Sequence, residues 1–320
     1  MKSTSELADF YYKELYPSIL ELEKQRKVIL SKLETYGFAG VVIFIILALF
    51  IARNFGFHSM FFILVIITMA ISSVFYNFLT SGYNKEFKER IISPIINTIN
   101  QNLSYSQDFF VSQSLFERSD LFTHSIDRYK GNDHVQGAID GVDIEFSNIH
   151  AQYKTRDSKG REHYQTLFHG IFFVAKFNKN FKSKIVVLPD IAQKTLGSFI
   201  GGWLQSNNFS RDKMIKMDNP EFEKQFVVYG SDPIETNYIL SHSIMQRILD
   251  FQKKISYPIF ISFVHNYIHI AIDTKKDLFM PNIFKSLLDF DQTANYINSI
   301  RNVILLVEEL KLNEKLWGKI

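Results

Sequence analysis

The histidines are the side chains of this chain with the widest capacity for chemistry, since imidazole binds metals and transfers protons near neutral pH. His265 and His269 lie four residues apart, in a segment that reads as a strand, a turn and a second strand. That spacing aligns two ligands on a helix but not on a hairpin, and no Glu of the HExxH pattern is adjacent. The sequence therefore predicts no metal site and no bound cofactor.

A second histidine pair, His163 and His169, lies on one predicted strand with a spacing of six. Because side chains alternate between the two faces of a strand, this even spacing allows both rings to share one face. A polar pair that faces solvent explains the same pattern without any chemistry.

Acidic residues also gather in one stretch of the sequence. Carboxylates bind calcium or act as general acids and bases. These acids, however, fall in turns and on the polar side of a predicted hairpin, where acids are expected in any case. The stretch comprises Asp127, Asp133, Asp140, Asp143 and Glu145.

Several function classes are excluded or unsupported by composition. The chain has no cysteine, which excludes disulfides, thiolate catalysis and Cys-ligated zinc or iron–sulfur sites. It has no glycine-rich phosphate loop and no GxSxG motif. Its net charge of +3 gives no support for a nucleic-acid partner. These observations favour a non-enzymatic interaction or scaffold protein. The alternative is a membrane-tethered hydrolase or ligand-binding enzyme whose active site no motif marks.

Two basic loops are the predicted contact surfaces of the chain, at "RDSKGRE" (Arg156–Glu162) and "NKNFKSK" (Asn178–Lys184). Both are polar and are expected near the edge of a domain, where lysine and arginine attract anionic lipid or an acidic protein surface. The residues concerned are Arg156, Lys159, Arg161, Lys179, Lys182 and Lys184.

An apolar segment from Tyr36 to Asn84 contains one charged residue, Arg53. It predicts two transmembrane helices, at about 36–52 and 60–79, each close in length to a hydrocarbon core of roughly 30 Å. Tyr36, Tyr76 and Tyr83 lie where interfacial aromatic residues are expected. The alternative is a helical hairpin buried in a large core.

The orientation of the two helices follows from their short connection, which makes them antiparallel and places both termini on one side. Basic residues are concentrated in the outer flanks, and only Arg53 lies in the connection. The positive-inside rule therefore predicts that both termini are cytoplasmic. The flanking basic residues are Lys24, Arg26, Lys27, Lys32, Lys85, Lys88 and Arg90.

Apolar stripes with a helical spacing extend both predicted spans toward that side. They predict an amphipathic N-terminal helix over 1–35 and a helical stalk over 85–105, with Pro17 and Pro94 kinking or capping them. Either the two extensions pack together, or the stripes bring together two copies of the chain. The stripes comprise Leu15, Ile19, Leu22, Ile29 and Leu33, with Arg26 filling the break, and then Phe87, Ile91, Ile92, Ile95, Ile96, Ile99 and Leu103.

Residues 106–320 are predicted to form a soluble α+β domain with a largely antiparallel sheet and flanking helices, following the transmembrane hairpin of 36–84. Asp140-Gly141 and His265-Asn266 are the predicted turns of two hairpins. After a further strand, Asp232 is the predicted N-cap of one helix that continues to Phe251, with Glu235 three residues after the cap.

The soluble part resembles the bacterial membrane-protein family "domain of unknown function 3137". The resemblance covers roughly Ser114 to Trp317 and includes "FHGIFFVAKFNKNF" and "NPEFEKQFVVYGSDPIETNYILS". It implies a protein anchored in the bacterial inner membrane by two passes, with a cytoplasmic domain, and it implies no catalytic residue, cofactor or substrate. Expected partners are the lipid bilayer and a protein partner or a second copy bound through the stalk. One departure is Asn237, where the family often has Arg.

Overall fold

The computed structural model describes residues 10–55, 59–122, 124–176, 182–190, 213–310 and 312. The chain divides into two compact units. The first comprises Met1–Ile95 and Phe279–Ile297, and the second comprises Ile96–Leu278 and Asn298–Ile320.

Two long helices form most of the first unit: α1 (Tyr16–Phe55) and α2 (Ser59–Phe87). Both are long and apolar enough to cross a membrane, and no residue in the most apolar 18-residue stretch of either helix is buried. This exposure disagrees with the alternative of a buried hairpin. The two helices predicted around 36–52 and 60–79 are therefore present, and each continues beyond its predicted span.

The continuations of α1 and α2 contact each other. Gln25 donates a hydrogen bond to Glu86 at 2.8 Å, and Arg90 forms an ion pair with Glu21. The apolar stripes predicted from the sequence face inward here, because most of their members in this unit are buried. The buried members are Leu15, Ile19, Leu22, Phe87, Ile91, Ile92 and Ile95.

Neither stalk proline ends its helix. Pro17 and Pro94 each lie two residues after a π-helical turn, formed by Tyr11–Leu15 and Lys88–Ile92. A proline lacks the amide hydrogen and its ring collides with the carbonyl of residue i−4 in a regular α-helix. The wider π turn relieves that conflict, so the chain continues as helix where the sequence predicted a kink or a cap.

A buried ion pair explains the break in the first apolar stripe. Arg26 donates to Glu23 at 2.8 Å, and this hydrogen bond lowers the pKa of Glu23 below its ordinary value. Arg26 also donates to the carbonyl of Ile283 at 2.8 Å, while the amide of Leu287 donates to Glu23 at 3.0 Å. The pair thus joins α1 to the segment Phe279–Ile297 of the same unit.

The second unit is built on one antiparallel sheet, which has nine strands within the described residues. Their spatial order is β1-β2-β3-β4-β9-β8-β5-β7-β6. The α+β class and the antiparallel sheet predicted from the sequence are therefore confirmed. The strands are β1 (Leu103–Ser106), β2 (Arg128–Ile139), β3 (Val142–Arg156), β4 (Glu162–Lys176), β5 (Ile185–Pro189), β6 (Lys213–Ile215), β7 (Phe226–Gly230), β8 (Ile259–Val264) and β9 (Tyr267–Ile272).

Both predicted hairpin turns are present. Asp140 and Gly141 have φ angles of 49° and 80°, and His265 and Asn266 have φ angles of 52° and 64°. Two consecutive residues with positive φ are the signature of the type I′ turn, whose twist matches that of the strands it joins.

Both faces of the sheet are covered, since every residue of β5 and β8 is buried. On one face Phe116 stacks on Phe122, with ring centroids 5.0 Å apart, and lies 4.8 Å from Phe172. The opposite face carries Phe146 and Phe173, which are also buried. Burial on two sides explains why the central strands are apolar without alternation.

Short helices follow and connect the strands. The single helix predicted after Asp232 is two helices, because the backbone leaves the helical region at Leu240, where φ is −87° and ψ is 59°. Asp232 caps the first of them and accepts from the amides of Ile234 and Glu235, as predicted. The remaining helices are α3 (Ser93–Ile99), α4 (Gln113–Arg118), α5 (Pro220–Gln225), α6 (Pro233–Ile239), α7 (His242–Lys254), α8 (Phe290–Ile304) and α9 (Leu306–Glu309).

Candidate functional site

A row of polar side chains crosses one face of the sheet in the second unit. Residues paired across antiparallel strands project to the same face. Glu145 pairs with Gln136 and Val174, and His269 pairs with Val174 and Ser262. The row runs through six adjacent strands as Ser104, Gln136, Glu145, Val174, His269 and Ser262.

A groove of about 890 Å³ lies over this row. Helix α4 contributes Leu115 and Arg118 to its walls, and the turn between β8 and β9 contributes His265 and Tyr267. This volume falls within the range of ligand pockets, roughly 300–1,000 Å³. The groove therefore has the size and the mixed polar and apolar lining of a binding site.

Two charged side chains in the groove are open to a ligand. Arg118 and Asp143 are both exposed, and neither makes an ion pair with any residue that the structure describes. Glu145, by contrast, has a partner, since its Oε1 lies 2.8 Å from Nε2 of His134. The groove thus presents one cation and one anion for binding.

His269 is buried at the base of the groove, with 2% of its surface exposed. Burial lowers its pKa to about 4, and the nearby His265 and Arg118 act in the same direction. Its ring stacks beside Phe172 with centroids 6.2 Å apart. The imidazole is therefore neutral at physiological pH.

Ser262 lies next to His269, with Oγ and Nδ1 separated by 3.4 Å. A serine beside a histidine has the composition of an activated nucleophile. Here, however, Ser262 is fully buried and donates its hydroxyl hydrogen to the carbonyl of Ser119 at 2.6 Å. The hydroxyl hydrogen is already donated to a carbonyl, and the buried oxygen cannot reach a substrate. The contact between Ser262 and His269 therefore pairs two buried polar groups and is not a catalytic dyad.

The two predicted contact loops lie at opposite ends of β4, one before Glu162 and the other after Lys176. Fifteen residues of strand separate them by roughly 45 Å along β4. The two predicted contact loops are therefore separate in the fold, and the prediction that they bind a partner stays a prediction. Lys179 lies outside the described residues.

Ion pairs balance part of the charge of the loop at Arg156–Glu162. Glu162 contacts Lys154 at 2.9 Å and Arg156 at 3.2 Å, and the hydrogen bond from Lys154 lowers the pKa of Glu162. Arg161 contacts Asp157 at 2.9 Å. Lys159 is exposed, with its amide bonded to Asp157. This loop is less cationic than its basic residues alone indicate.

The other basic loop is held by Glu235 of α6. The amides of Lys182 and Ser183 donate to the Glu235 carboxylate at 3.0 and 2.7 Å. The sequence predicted that Glu235 would complete a capping box on its own helix, but its carboxylate binds this loop. The ammonium of Lys184 lies 3.3 Å from Asp120, whereas the Lys182 side chain is exposed.

The histidine pair on β4 is divided by a β-bulge. The pairing of β3 with β4 shifts at Ala151/Gln152, which leaves Leu167 as the extra residue. His163 and His169 therefore point to opposite faces, and the prediction of a shared face is wrong. The His169 ring stacks on His150, with centroids 4.4 Å apart.

The acidic stretch does not converge on one point. Asp133 is buried and accepts a hydrogen bond from the Tyr105 hydroxyl at 2.5 Å, and Asp127 accepts from the amide of Lys154 at 2.7 Å. Only Asp143 and Glu145 line the groove. Among the residues that the structure describes, no three His, Asp or Glu side chains are grouped to hold a metal ion.

Sequence reasoning missed the groove because no motif marks it. Part of the signal was present, since a two-residue turn at Asp140-Gly141 places Gln136 opposite Glu145. A turn at His265-Asn266 likewise places Ser262 opposite His269. The two hairpins are brought together by the pairing of β4 with β9, and neither turn specifies that pairing.

Comparisons with known proteins bear on the family. No curated protein matches the chain significantly. Among solved structures, the chain is similar to the mycobacterial trehalose monomycolate transport factor A, TtfA, with 10% sequence identity and a TM-score of 0.32. That similarity covers 65% of this chain and 90% of the other, and a TM-score this low supports no conclusion.

A family profile described as "Protein of unknown function (DUF3137)" matches residues 166–312. The match begins within β4 and is shorter than the resemblance traced in the sequence, which started at Ser114. It includes the whole of both segments quoted for that resemblance, which begin at Phe168 and Asn219. Residues 166–312 are therefore similar to the family of proteins of unknown function DUF3137, and the resemblance read from the sequence is confirmed over that segment.

Proposed function

We propose that this chain is a two-pass protein of a bacterial inner membrane, with both termini in the cytoplasm, whose α+β domain binds a partner without catalysing a reaction. The exposure of apolar side chains on α1 and α2 is the observation that carries the proposal. Phe38 is 73% exposed and Phe78 is 76% exposed. An apolar surface of this extent is unfavourable in water and is accommodated by a bilayer.

The distribution of basic residues supports the orientation. Lysines and arginines flank the outer ends of both helices, and Arg53 is the only lysine or arginine near their connection. A reporter enzyme that works only in the periplasm should be inactive when fused after Ile320. The same reporter should be active when inserted between Arg53 and Ser59. Activity after Ile320 would refute the orientation.

The groove supports a binding role for the second unit. It offers Arg118 and Asp143, of opposite charge, above apolar residues such as Val174 and Ala175. A polypeptide segment of a protein partner carries both charges and an apolar side, so it complements this lining. Ser262 is fully buried and its hydroxyl donates to the carbonyl of Ser119, so the Ser262–His269 pair does not supply a nucleophile to the groove.

Cross-linking of the full chain in intact membranes, followed by mass spectrometry, tests the binding role. Arg118→Glu and Asp143→Lys should each remove specific cross-linked partners, whereas Lys216→Glu, a charge reversal next to β6 at the far edge of the sheet, should not. Equal partner yields from all variants would refute the groove as the binding site. Substrate turnover that His269→Gln abolishes would establish the enzymatic alternative. Cross-links between two copies through the stalk would indicate a homo-oligomer.

A further inference from the structure

The segment that follows Leu278 in the first unit has a buried side and an exposed apolar side. Its inward residues recur every four positions and are all buried: Phe279, Ile283 and Leu287. The residues that follow each of them are exposed and apolar, namely Met280 at 37%, Phe284 at 67% and Leu288 at 42%. These three exposed side chains are called the apolar edge here, and their exposure to water is unfavourable.

The polar contacts of α1 hold this segment in place. Arg26 binds the carbonyl of Ile283, and Glu23 accepts hydrogen bonds from the Leu287 amide and from the Ser286 hydroxyl, at 3.0 and 3.1 Å. Because Glu23 and Arg26 are 3% and 6% exposed, these contacts are shielded from water. The outward direction of Phe284 and Leu288 is therefore fixed by the fold.

The segment lies beside α1 and α2 at the level of Tyr36 and Tyr76, where their apolar spans end. Phe284 stacks on Tyr76 with ring centroids 6.5 Å apart and planes 17° apart. Tyr36 contacts Phe75 at 5.4 Å, so Tyr36 and Tyr76 lie at similar heights. From Tyr36 to Phe55, α1 rises by roughly 29 Å, which matches a hydrocarbon core of about 30 Å. Phe284 thus lies at the boundary between hydrocarbon and headgroups.

The apolar edge is also continuous with the surface of the spans. Phe284 lines an apolar groove of about 1200 Å³ whose other walls come from α1 and α2, from Leu30 to Tyr76. Lys285, next to Phe284, is exposed and can reach lipid phosphates. Aromatic and basic residues side by side are typical of the membrane interface.

We propose that Met280, Phe284 and Leu288 enter the interfacial layer of the bilayer and form a third membrane contact beside the two helices. This inference rests on the proposed membrane insertion of α1 and α2. It assigns a lipid-binding role to a segment that is distant in sequence from both spans and is not itself long enough to cross a membrane.

Quenching of single fluorescent labels tests this contact, and the absence of native cysteine makes such labelling direct. The full chain is reconstituted in phospholipid vesicles after Phe284→Cys or Leu288→Cys. Ile66→Cys, on the exposed side of α2, is the control for the span, and Lys216→Cys is the control for water. The quenchers are lipids that carry a nitroxide near the glycerol end of the acyl chain, lipids that carry it near the methyl end for the deeper label at 66, and iodide in the aqueous phase.

The labels at 284 and 288 should be quenched several-fold more by the shallow nitroxide lipid than the label at 216, and several-fold less by iodide. Lipid quenching at 66 without lipid quenching at 284 and 288 would overturn this inference and leave the proposed membrane insertion intact. Protection of 284 and 288 from both quenchers would mean that another protein chain covers the edge, which also overturns it. Absence of lipid quenching at 66 would overturn both proposals.

Discussion

Replacement of His269 by glutamine should remove much of the pH dependence of stability in the second unit. The pKa of His269 is lowered from 6.5 to about 4 by burial, a difference that corresponds to about 3 kcal/mol. Because the folded-state pKa lies below the unfolded-state pKa, the unfolded chain binds this proton more tightly. Stability is therefore full above about pH 6.5 and falls as the pH decreases toward about 4.

The expected loss can be worked out for an accessible interval. Between about pH 7.5 and about pH 5, the two pKa values give a decrease of about 2 kcal/mol in the free energy of unfolding. A glutamine side chain does not titrate, so the His269→Gln variant should lack this contribution although its stability at neutral pH is lower. His150 and His169, whose pKa values burial also lowers, contribute in the same direction in both proteins.

Urea unfolding of the full chain in detergent micelles, followed by circular dichroism at several pH values, measures the difference. His163→Gln is the matched control, because the His163 side chain is 58% exposed on the hairpin arm. His269→Gln should lose less free energy over this interval than His163→Gln, which retains His269. If the natural protein and His269→Gln lose the same free energy between about pH 7.5 and about pH 5, His269 is not buried in its neutral form, and the reasoning fails.

Three further predictions concern other contacts. Gly141→Val should lower the free energy of unfolding by about 1 kcal/mol or more, because φ is 80° at this position. Gly141→Asn should have a smaller effect. An unchanged melting temperature for the valine variant would contradict this prediction. Glu235→Ala should lower the free energy of unfolding by about 1 kcal/mol through loss of the hydrogen bonds from two partly solvated amides, as measured by urea unfolding, and Glu235→Gln should recover part of it. Charge reversal at Lys179 and Lys182 should leave the melting temperature unchanged but weaken binding to anionic liposomes, most at low salt. Lys184 is left in place because its ammonium pairs with Asp120 at 3.3 Å. Undiminished binding would show that this loop is not the contact surface.

Local chemistry made several elements predictable. Asp140-Gly141 and His265-Asn266 specify their turns because few residue pairs tolerate positive φ twice in succession. Asp232 specifies a helix start because its short carboxylate reaches the first free amides. The apolar spans are evident because hardly any other structure needs so long a stretch without charge.

Features that depend on distant pairing were not predictable. Glu235 has the spacing of a capping box, but two amides more than fifty residues away in sequence compete for its carboxylate. The groove requires β4 to lie between β3 and β9, and no local signal in Val174 or His269 specifies that order. Leu240 carries no helix-breaking side chain, so the break after α6 is a result of packing and not of propensity.

The bulge at Leu167 separates two parts of the same hairpin that tolerate change differently. Beyond it, Tyr153–Arg156 of β3 pair only with the start of β4, as a free ribbon, whereas β4 pairs with β9 from Ile171 onward. Removal of one residue from each strand of the ribbon would shorten it and leave the register inside the bulge unchanged. Removal of Leu167 alone would instead turn every side chain of one ribbon strand to the other face. The bulge thus marks the point beyond which paired deletions change the length of the ribbon and leave the register of the buried sheet unchanged.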